Sequence, residues 1–313
     1  MANISNRNGK PNGKATDMPP SNTPSSSKKQ THLYKSLQFY WFLGHALTVF
    51  HFAFYSIPFN VLYLIGPHYH QVACLLSILG TYGIVILQFF KYQKIKKNSN
   101  FDVTYNLKFF HKIIQLDNFQ YFFSTLIMFL ISIAFNRNNA LKLIPNSVLL
   151  SPTIYSLFHC LNYICKNNSA FTYQCPPNIL AYFEKFITNY NAKSVRLAQI
   201  LECTTLFQFL IRLWYLPLKI VLSCISRIFN SNYSLSNSLG SIYLEFILSI
   251  SYIWFFKMRL KNPDQKVKTI CNNFDTQFTK FFENLQAKYN LQLVKYYRTA
   301  KYTIMTFFNA IPV

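Results

Sequence analysis

The residues of this chain that could do chemistry are a few histidines and two carboxylates within long apolar stretches. His45, His51, His68 and His70 lie in or just after the first of these stretches. Intramembrane ionisable groups of this kind can relay protons or bind a metal. No carboxylate or cysteine lies near them at ligand spacing, so we interpret His45 and the adjacent Gly44 as helix-packing residues. A small residue lets two helices approach closely, and a histidine can hydrogen-bond across their interface.

Glu202 and Glu245 are the two carboxylates inside the later apolar stretches. An isolated charge in the middle of a bilayer is costly, so each must be protonated, paired or placed against a polar cavity. Arg212 follows Glu202 at a distance of about 15 Å along a helix, too far for the two to pair within it. We interpret Glu202 and Glu245 as helix-association residues. A proton or solute pathway through these carboxylates and the histidines is the alternative.

Catalytic and cofactor motifs are absent from the sequence. Its seven cysteines show neither CxxC nor Cys/His ligand spacing, and most lie inside or beside apolar stretches. That pattern is typical of small apolar residues in helices and disfavours a zinc site. The chain also lacks a nucleophile elbow, a phosphate-binding glycine loop and an HExxH motif. The sequence therefore predicts a protein that is not an enzyme, with no catalytic, cofactor-binding or metal-binding residues.

The composition indicates which solvent surrounds the chain. Half of it is apolar (51% hydrophobic) and only 13% is charged, whereas about 25% is usual in globular proteins. The charge is strongly basic, with 31 Lys and Arg against 9 Asp and Glu. Because these basic residues flank the apolar stretches, they favour an anionic membrane surface over nucleic acid as the partner. The composition therefore predicts an integral membrane protein.

Six apolar stretches are candidates for bilayer crossings, each of which needs about 20 residues. The predicted fold is all-α, a polytopic helical membrane protein with six spans. Four spans, with one or two of the stretches lying in the interface or forming re-entrant hairpins, is the alternative. The fifth stretch is the least regular, since it contains Glu202, Arg212 and Lys219. The stretches are 37–57, 72–90, 119–135, 147–165, 197–225 and 239–256.

The basic residues in the connections predict the orientation. From the N-terminus to the C-terminus the connections carry 6, 0, 6, 2, 4, 1 and 10 Lys and Arg. This alternation is what six crossings require when cytosolic loops are the basic ones. It places both termini in the cytosol. The predicted divisions are a disordered basic cytosolic arm (1–32), a transmembrane helical domain (33–258) and a basic amphipathic cytosolic tail (259–313).

The tail has its own periodicity. Between Phe274 and Ile311, apolar and aromatic residues recur at gaps of three and four, with basic residues among them. Such spacing predicts one apolar helical face. No apolar run is long enough to cross a bilayer, so we expect a basic amphipathic helix on an anionic leaflet. Packing of this helix on a partner protein or on the spans is the alternative.

The order of these parts resembles one family. A Lys- and Ser-rich arm leads into the first span, FYWFLGHALTVF, and a late span, RLAQILECTTLFQFLI, carries an acidic residue near its start. The chain ends in a basic aromatic tail, from NNFDTQFTKFFENL to YYRTAKYTIMTFFNAIPV. In residues 33–313 the chain resembles the fungal Pom33/Per33 family, relatives of animal transmembrane protein 33.

The resemblance implies residence in the endoplasmic reticulum and nuclear envelope, with a role in nuclear pore complex assembly or distribution. It also implies contact with reticulon-type membrane shapers, nucleoporins and an import receptor, and binding of the tail to curved, anionic membrane. Carried over to this sequence, the apolar membrane-surface binding role falls on Phe278, Phe281, Phe282 and Leu285. The basic part of that role falls on Lys280, Lys288, Lys295, Arg298 and Lys301.

Overall fold

The computed structural model of the chain describes most of the residues between the N-terminal arm and the last turn of the tail. The predicted arm, 1–32, lies outside the described residues, and so do most residues of the predicted connections 58–71, 91–118 and 136–146. The described ranges are 34–56, 66–96, 113–134, 144–171, 173–230, 234–261, 266–289 and 292–310.

Within these ranges the secondary structure is helical, which confirms the predicted all-α class. A single 3₁₀ turn, Asn168–Ala170, follows the fourth helix. In chain order the helices are α1 Leu37–Ser56, α2 Pro67–Lys96, α3 Asp117–Ala134, α4 Asn146–Asn167, α5 Pro177–Phe229, α6 Leu235–Lys261, α7 Lys266–Tyr289 and α8 Leu293–Ala310.

Prolines mark the start of three helices. Pro67 and Pro177 are the first residues of α2 and α5, where the missing N–H costs nothing because that group has no partner inside the helix. Pro145 and Pro176 precede α4 and α5 with extended backbone angles, ψ 144° and 143°. The first turns of these helices are thus determined by sequence as well as by the apolar runs that follow.

Five of the described helices, α2 to α6, are long and apolar enough to cross a bilayer. The first helix, α1, has 20 residues and no charged side chain, but its histidines, tyrosines and tryptophan reduce its mean hydropathy. All six predicted stretches therefore coincide with helices, and the chain is a polytopic helical membrane protein. The count of six crossings and the cytosolic termini stay predictions.

The six helices α1 to α6 form a closed ring. Around it, α1 packs between α2 and α4, α4 packs on α5, α5 on α6, α6 on α3, and α3 on α2. The helices α1 and α4 run in opposite directions, since Tyr55 near the end of α1 meets Asn146 at the start of α4. Much of the interior is polar, with Thr48, Gln71, Gln120 and Ser132 each almost fully buried. Small and polar residues of this kind are typical of helix interfaces within membranes.

Gly44 lies at a close approach of α1 and α2. A Cβ atom built on Gly44 would overlap the hydroxyl oxygen of Thr81, which donates a hydrogen bond of 2.7 Å to the Ser77 carbonyl of its own helix. We expect Gly44→Val to lower stability by about 1–3 kcal/mol through overpacking. Gly80→Val is the matched control, because a Cβ there would meet nothing within 4 Å. Thermal denaturation of both variants in detergent, followed by size-exclusion chromatography, measures the difference; equal melting temperatures would contradict the contact.

The tail is a pair of helices, α7 and α8, that pack on each other and on the ring. The predicted single apolar face does not lie along one continuous helix, since α7 ends at Tyr289 and α8 begins at Leu293. Val267 and Ile270 of α7 and Phe308 of α8 belong to the same buried cluster as the ring residues. The tail is therefore continuous with the core of the membrane-spanning part.

Candidate functional site

Glu202 lies at the junction of several helices. Its side chain, on α5, is only 2% exposed. Tyr121 of α3 donates its hydroxyl proton to Glu202 Oε1, and Ser151 of α4 donates to the same oxygen over 3.0 Å. The other oxygen, Oε2, lies 3.7 Å from Nε of Arg259 on α6. One carboxylate thus joins four helices.

Arg259 provides the positive charge of this cluster, and sequence reasoning missed it as an interior residue. Its Nη1 lies 2.6 Å from Asp117 Oδ2 at the start of α3. Its guanidinium also stands over the Tyr121 ring, 5.2 Å from the centroid. Arg259 follows the predicted sixth span by three residues, and the predicted divisions place it in the tail (259–313). The signal that could have identified it is opposite charge. Asp117 precedes the stretch 119–135 and Arg259 follows the stretch 239–256, and the predicted topology puts both residues on the same side of the membrane.

A second ion pair joins α5 to α6. Lys219 Nζ donates to both carboxylate oxygens of Glu245, over 2.5 and 2.8 Å. Glu245 is nearly buried while Lys219 is 44% exposed, so the lysine reaches the carboxylate from the outer side of the helix pair. Lys219 was an irregularity in the predicted fifth span. Its pairing with Glu245 shows how a basic residue is accommodated there.

The first-span residues lie at helix contacts. His45 Nδ1 is 2.9 Å from Ser156 Oγ on α4, while Gly44 faces α2. His51 and His70 meet through their Nδ1 atoms at 3.2 Å, between α1 and α2. Within the described residues no group of three or more His, Cys, Asp or Glu side chains could hold a metal ion. The helix-association role of Gly44, His45, Glu202 and Glu245 stays a prediction, and each of the four lies where helices meet.

A cavity of about 430 Å³ lies inside the ring. All six ring helices and α7 line it, at the end where α1 and α3 begin and α2, α4 and α6 finish. The wall includes Trp41, Tyr82, Tyr155 and the charged pair Asp117 and Arg259. Glu202 lies behind this wall, bonded to Tyr121. The cavity thus brings charged, polar and aromatic side chains together inside the ring.

Asp275 holds the two tail helices together. It accepts hydrogen bonds from Lys301 Nζ at 2.7 Å and from the Tyr297 hydroxyl at 2.8 Å. The Lys301 ammonium lowers the pKa of Asp275 below its ordinary value, while burial, aided by the bond to Asp275, raises the pKa of Tyr297 to about 12. Phe282 stacks on Tyr297 with ring centroids 5.0 Å apart. These contacts close α7 and α8 into a hairpin.

The hairpin is attached to the ring at both of its ends. Lys257 of α6 donates to the carbonyls of Phe308 and Asn309 over 2.9 and 3.2 Å. These carbonyls lie at the C-terminus of α8, where a cation is favoured by the helix dipole. At the start of α7, Cys271 Sγ lies 3.8 Å from Cys203 Sγ on α5.

The predicted membrane-surface residues divide between the inside and the outside of the hairpin. Phe281 is 55% exposed and Phe278 is 42% exposed, while Phe282 and Leu285 are half-buried. Phe278 also touches Phe207 of α5, with centroids 6.4 Å apart. The five basic residues Lys280, Lys288, Lys295, Arg298 and Lys301 are all exposed. Their role in binding a membrane surface stays a prediction.

The cysteine pair offers a direct check on tail docking. We expect mild oxidation of the detergent-solubilised protein to join Cys203 and Cys271, because a shift of under 2 Å brings the sulfurs to disulfide distance. Mass spectrometry of a tryptic digest would detect the linked peptides. Cys224, which is exposed on α5 together with Cys203, is the control. It should form no disulfide with another cysteine of the same chain. A Cys271 that pairs no faster than Cys224 would contradict the docking of α7.

A closed ring of apolar helices with a basic helical hairpin on one end defines a polytopic helical membrane protein. The chain is 29% identical over 287 residues to the "Pore and endoplasmic reticulum protein of 33 kDa" of Saccharomyces cerevisiae, a match that covers 89% of this chain and 93% of the relative. This likeness confirms the resemblance to the Pom33/Per33 family that was drawn from the sequence. No protein-family profile matches the chain. No solved structure matches it either.

Proposed function

We propose that this chain is a non-enzymatic membrane protein of the endoplasmic reticulum and nuclear envelope, which organises membrane shape and supports nuclear pore complex assembly or distribution. The name of the yeast relative, with its pore and reticulum, supports the location. The observation that supports a role in membrane shaping is the basic hairpin. Its aromatic and cationic side chains are exposed, and the hairpin itself is attached to the ring by buried contacts.

The hairpin has the chemistry of a membrane-surface element. Phe281, Tyr296 and Tyr302 are each more than half exposed, and exposed lysines and arginines surround them. Aromatic side chains favour the headgroup region, and each basic residue near an anionic surface adds about 1 kcal/mol of attraction. A hairpin inserted in one leaflet beside the ring would expand that leaflet alone, which favours curvature.

The attachment of the hairpin couples its insertion to the helices of the ring. Lys257 of α6 binds the C-terminus of α8, and Cys203 of α5 contacts Cys271 of α7. These contacts fix the hairpin to α5 and α6. Any force on the hairpin is therefore transmitted to helices that cross the bilayer. The family resemblance adds the proposed partners: reticulon-type shapers, nucleoporins and an import receptor, the last of which would contact the same exposed basic residues.

Localisation of the tagged protein in S. cerevisiae tests the proposal. We expect the full-length chain at the reticulum and nuclear envelope, enriched near a tagged nucleoporin. A chain ending at residue 261 should stay in membranes but lose that enrichment. Absence of the full-length chain from the nuclear envelope would contradict the proposed location. Equal enrichment of the full-length and shortened chains near the nucleoporin would contradict the role of the hairpin.

A small-solute or ion transporter is the second candidate, favoured by one observation. The cavity inside the ring has a polar wall with His45 in it and Glu202 behind it. Reconstitution in liposomes with a pH-sensitive dye separates the two functions. The membrane-organising function predicts no flux above that of empty liposomes, whereas a proton or ion flux abolished by Glu202→Gln would support transport.

A further inference from the structure

Four aromatic residues, Trp41, Tyr82, Tyr121 and Tyr155, are among those that line the cavity inside the ring, and the proposed function does not use them. Tyr82 and Tyr121 stack with centroids 5.2 Å apart, and Tyr121 and Tyr155 form a T-shaped contact with centroids 6.4 Å apart. Trp41 and His159 form another contact at the wall, 5.0 Å apart. We infer that this cavity binds a choline-type organic cation, either free or as the headgroup of a lipid. Aromatic cages bind quaternary ammonium ions through the negative faces of their rings.

The charges around the cavity favour a cation over an anion. Among the lining residues that the structure describes, Asp117 and Arg259 are the charged ones. The charge of the Arg259 guanidinium is already paired, with Asp117 at 2.6 Å and Glu202 at 3.7 Å. The described part of the wall therefore carries no unpaired positive charge to attract an anion, and aromatic rings favour a cation.

One buried polar atom indicates a hydroxyl or ester oxygen on the same ligand. His45 lines the cavity and uses Nδ1 for Ser156, whereas its Nε2 is buried without a hydrogen-bond partner. A buried polar atom in this state costs free energy unless something bonds to it. A hydroxyl donates or accepts, so the choline hydroxyl would suit either tautomer of His45.

Size and access agree with such a ligand. A volume of about 430 Å³ lies within the range of small-molecule sites. Asp117, at the first residue of α3, is 42% exposed, whereas Arg259 and Glu202 are buried. Asp117 therefore marks the mouth and Arg259 the interior. Because the mouth lies at the ends of spanning helices, lipid headgroups and dissolved choline can both reach it.

Titration of the full-length protein, purified in a maltoside detergent, tests this inference by calorimetry. Choline chloride should bind saturably, and sodium chloride at the same concentration should not. The decisive control is 3,3-dimethylbutan-1-ol, which has the shape and hydroxyl of choline without its charge. We expect it to bind at least about tenfold more weakly. Equal binding of the two, or no saturable binding of choline, would overturn the inference.

Substitutions locate the site within the chain. Tyr155→Leu and Asp117→Asn should each weaken choline binding by about tenfold. Tyr182→Leu and Glu184→Gln, both at exposed positions of α5, are the matched controls and should bind as the original chain does. Elution volume and melting temperature report folding. If the cavity variants bind choline as the original chain does, the assignment to this cavity is overturned; if they misfold, the comparison of choline with its neutral analogue decides.

Competition distinguishes the two sources of the cation. Short-chain phosphatidylcholine should displace choline if the site accepts a lipid headgroup, whereas short-chain phosphatidylglycerol should not. Displacement by phosphatidylcholine alone assigns the site to lipid. Choline binding that neither lipid displaces assigns it to the free cation, and equal displacement by both lipids would contradict headgroup recognition.

Discussion

Replacing Arg259 with methionine is expected to lower the stability of the chain by about 3–5 kcal/mol. Methionine fills a similar volume but leaves Glu202, almost fully buried, and Asp117 without their shared positive partner. Removing one member of a buried charged pair is more damaging than the pair itself is stabilising, because the remaining charge is left in a low-dielectric interior. The loss of Arg259 should weaken all the contacts among α3, α5 and α6 at once.

The measurement is the melting temperature of each variant in detergent, in a double-mutant cycle with Glu202→Gln. Glutamine keeps an oxygen to accept from Tyr121 and Ser151 and leaves Asp117 to pair with Arg259. Glu202→Gln alone should therefore cost much less than Arg259→Met, and adding it to Arg259→Met should recover part of the loss. Lys261→Met, an exposed residue two positions along α6, is the control. A cycle without coupling between Glu202 and Arg259 would contradict the buried cluster.

Aspartate in place of the exposed aromatic residues Phe281 and Tyr302 should abolish binding of the isolated tail, residues 266–313, to anionic liposomes. Insertion of apolar side chains holds an amphipathic helix in the interface, so its loss should be independent of salt. The wild-type tail should bind small, highly curved liposomes best, because packing defects are more frequent there. Liposome flotation measures the bound fraction.

A second set, Lys288→Gln, Lys295→Gln and Arg298→Gln, should behave differently from the aromatic set. It removes about 1 kcal/mol of attraction per residue near the surface. Its effect should be large at low salt and small at high salt, where screening has already removed most of this attraction. Thr276→Ala, at an exposed position of α7, is the control. A wild-type tail that neither floats with liposomes nor gains helicity in their presence would favour a protein-binding hairpin instead.

The positions of the membrane-crossing helices could be predicted from the sequence because a bilayer imposes a minimum apolar length. The predicted stretch 239–256 lies inside α6, Leu235–Lys261, and the other five predictions differ from their helices mainly at the ends. The largest difference is α5, which begins at Pro177, twenty residues before the predicted span. That extension is helical but polar, so an apolar-length criterion does not detect it.

The contacts of the candidate sites were less accessible to sequence reasoning. Glu202 and Glu245 were recognisable as costly charges, but their partners Arg259 and Lys219 lie 57 and 26 positions away, a separation that periodicity does not resolve. The break in the tail was hidden for a different reason. Tyr289 and Leu293 are four residues apart, so the apolar pattern continues in register from α7 to α8 and resembles one helix.

The length of α5 has a consequence for the bilayer itself. Its 53 residues extend about 80 Å, and the apolar part, 197–225, alone extends about 43 Å. The hydrocarbon core is about 30 Å thick on average and about 27 Å in the endoplasmic reticulum. This hydrophobic mismatch is accommodated by a tilt or kink of α5 or by thickening of the surrounding lipid. Because either adjustment costs free energy for each ångström of difference, bilayer thickness would influence where in a continuous membrane the chain accumulates.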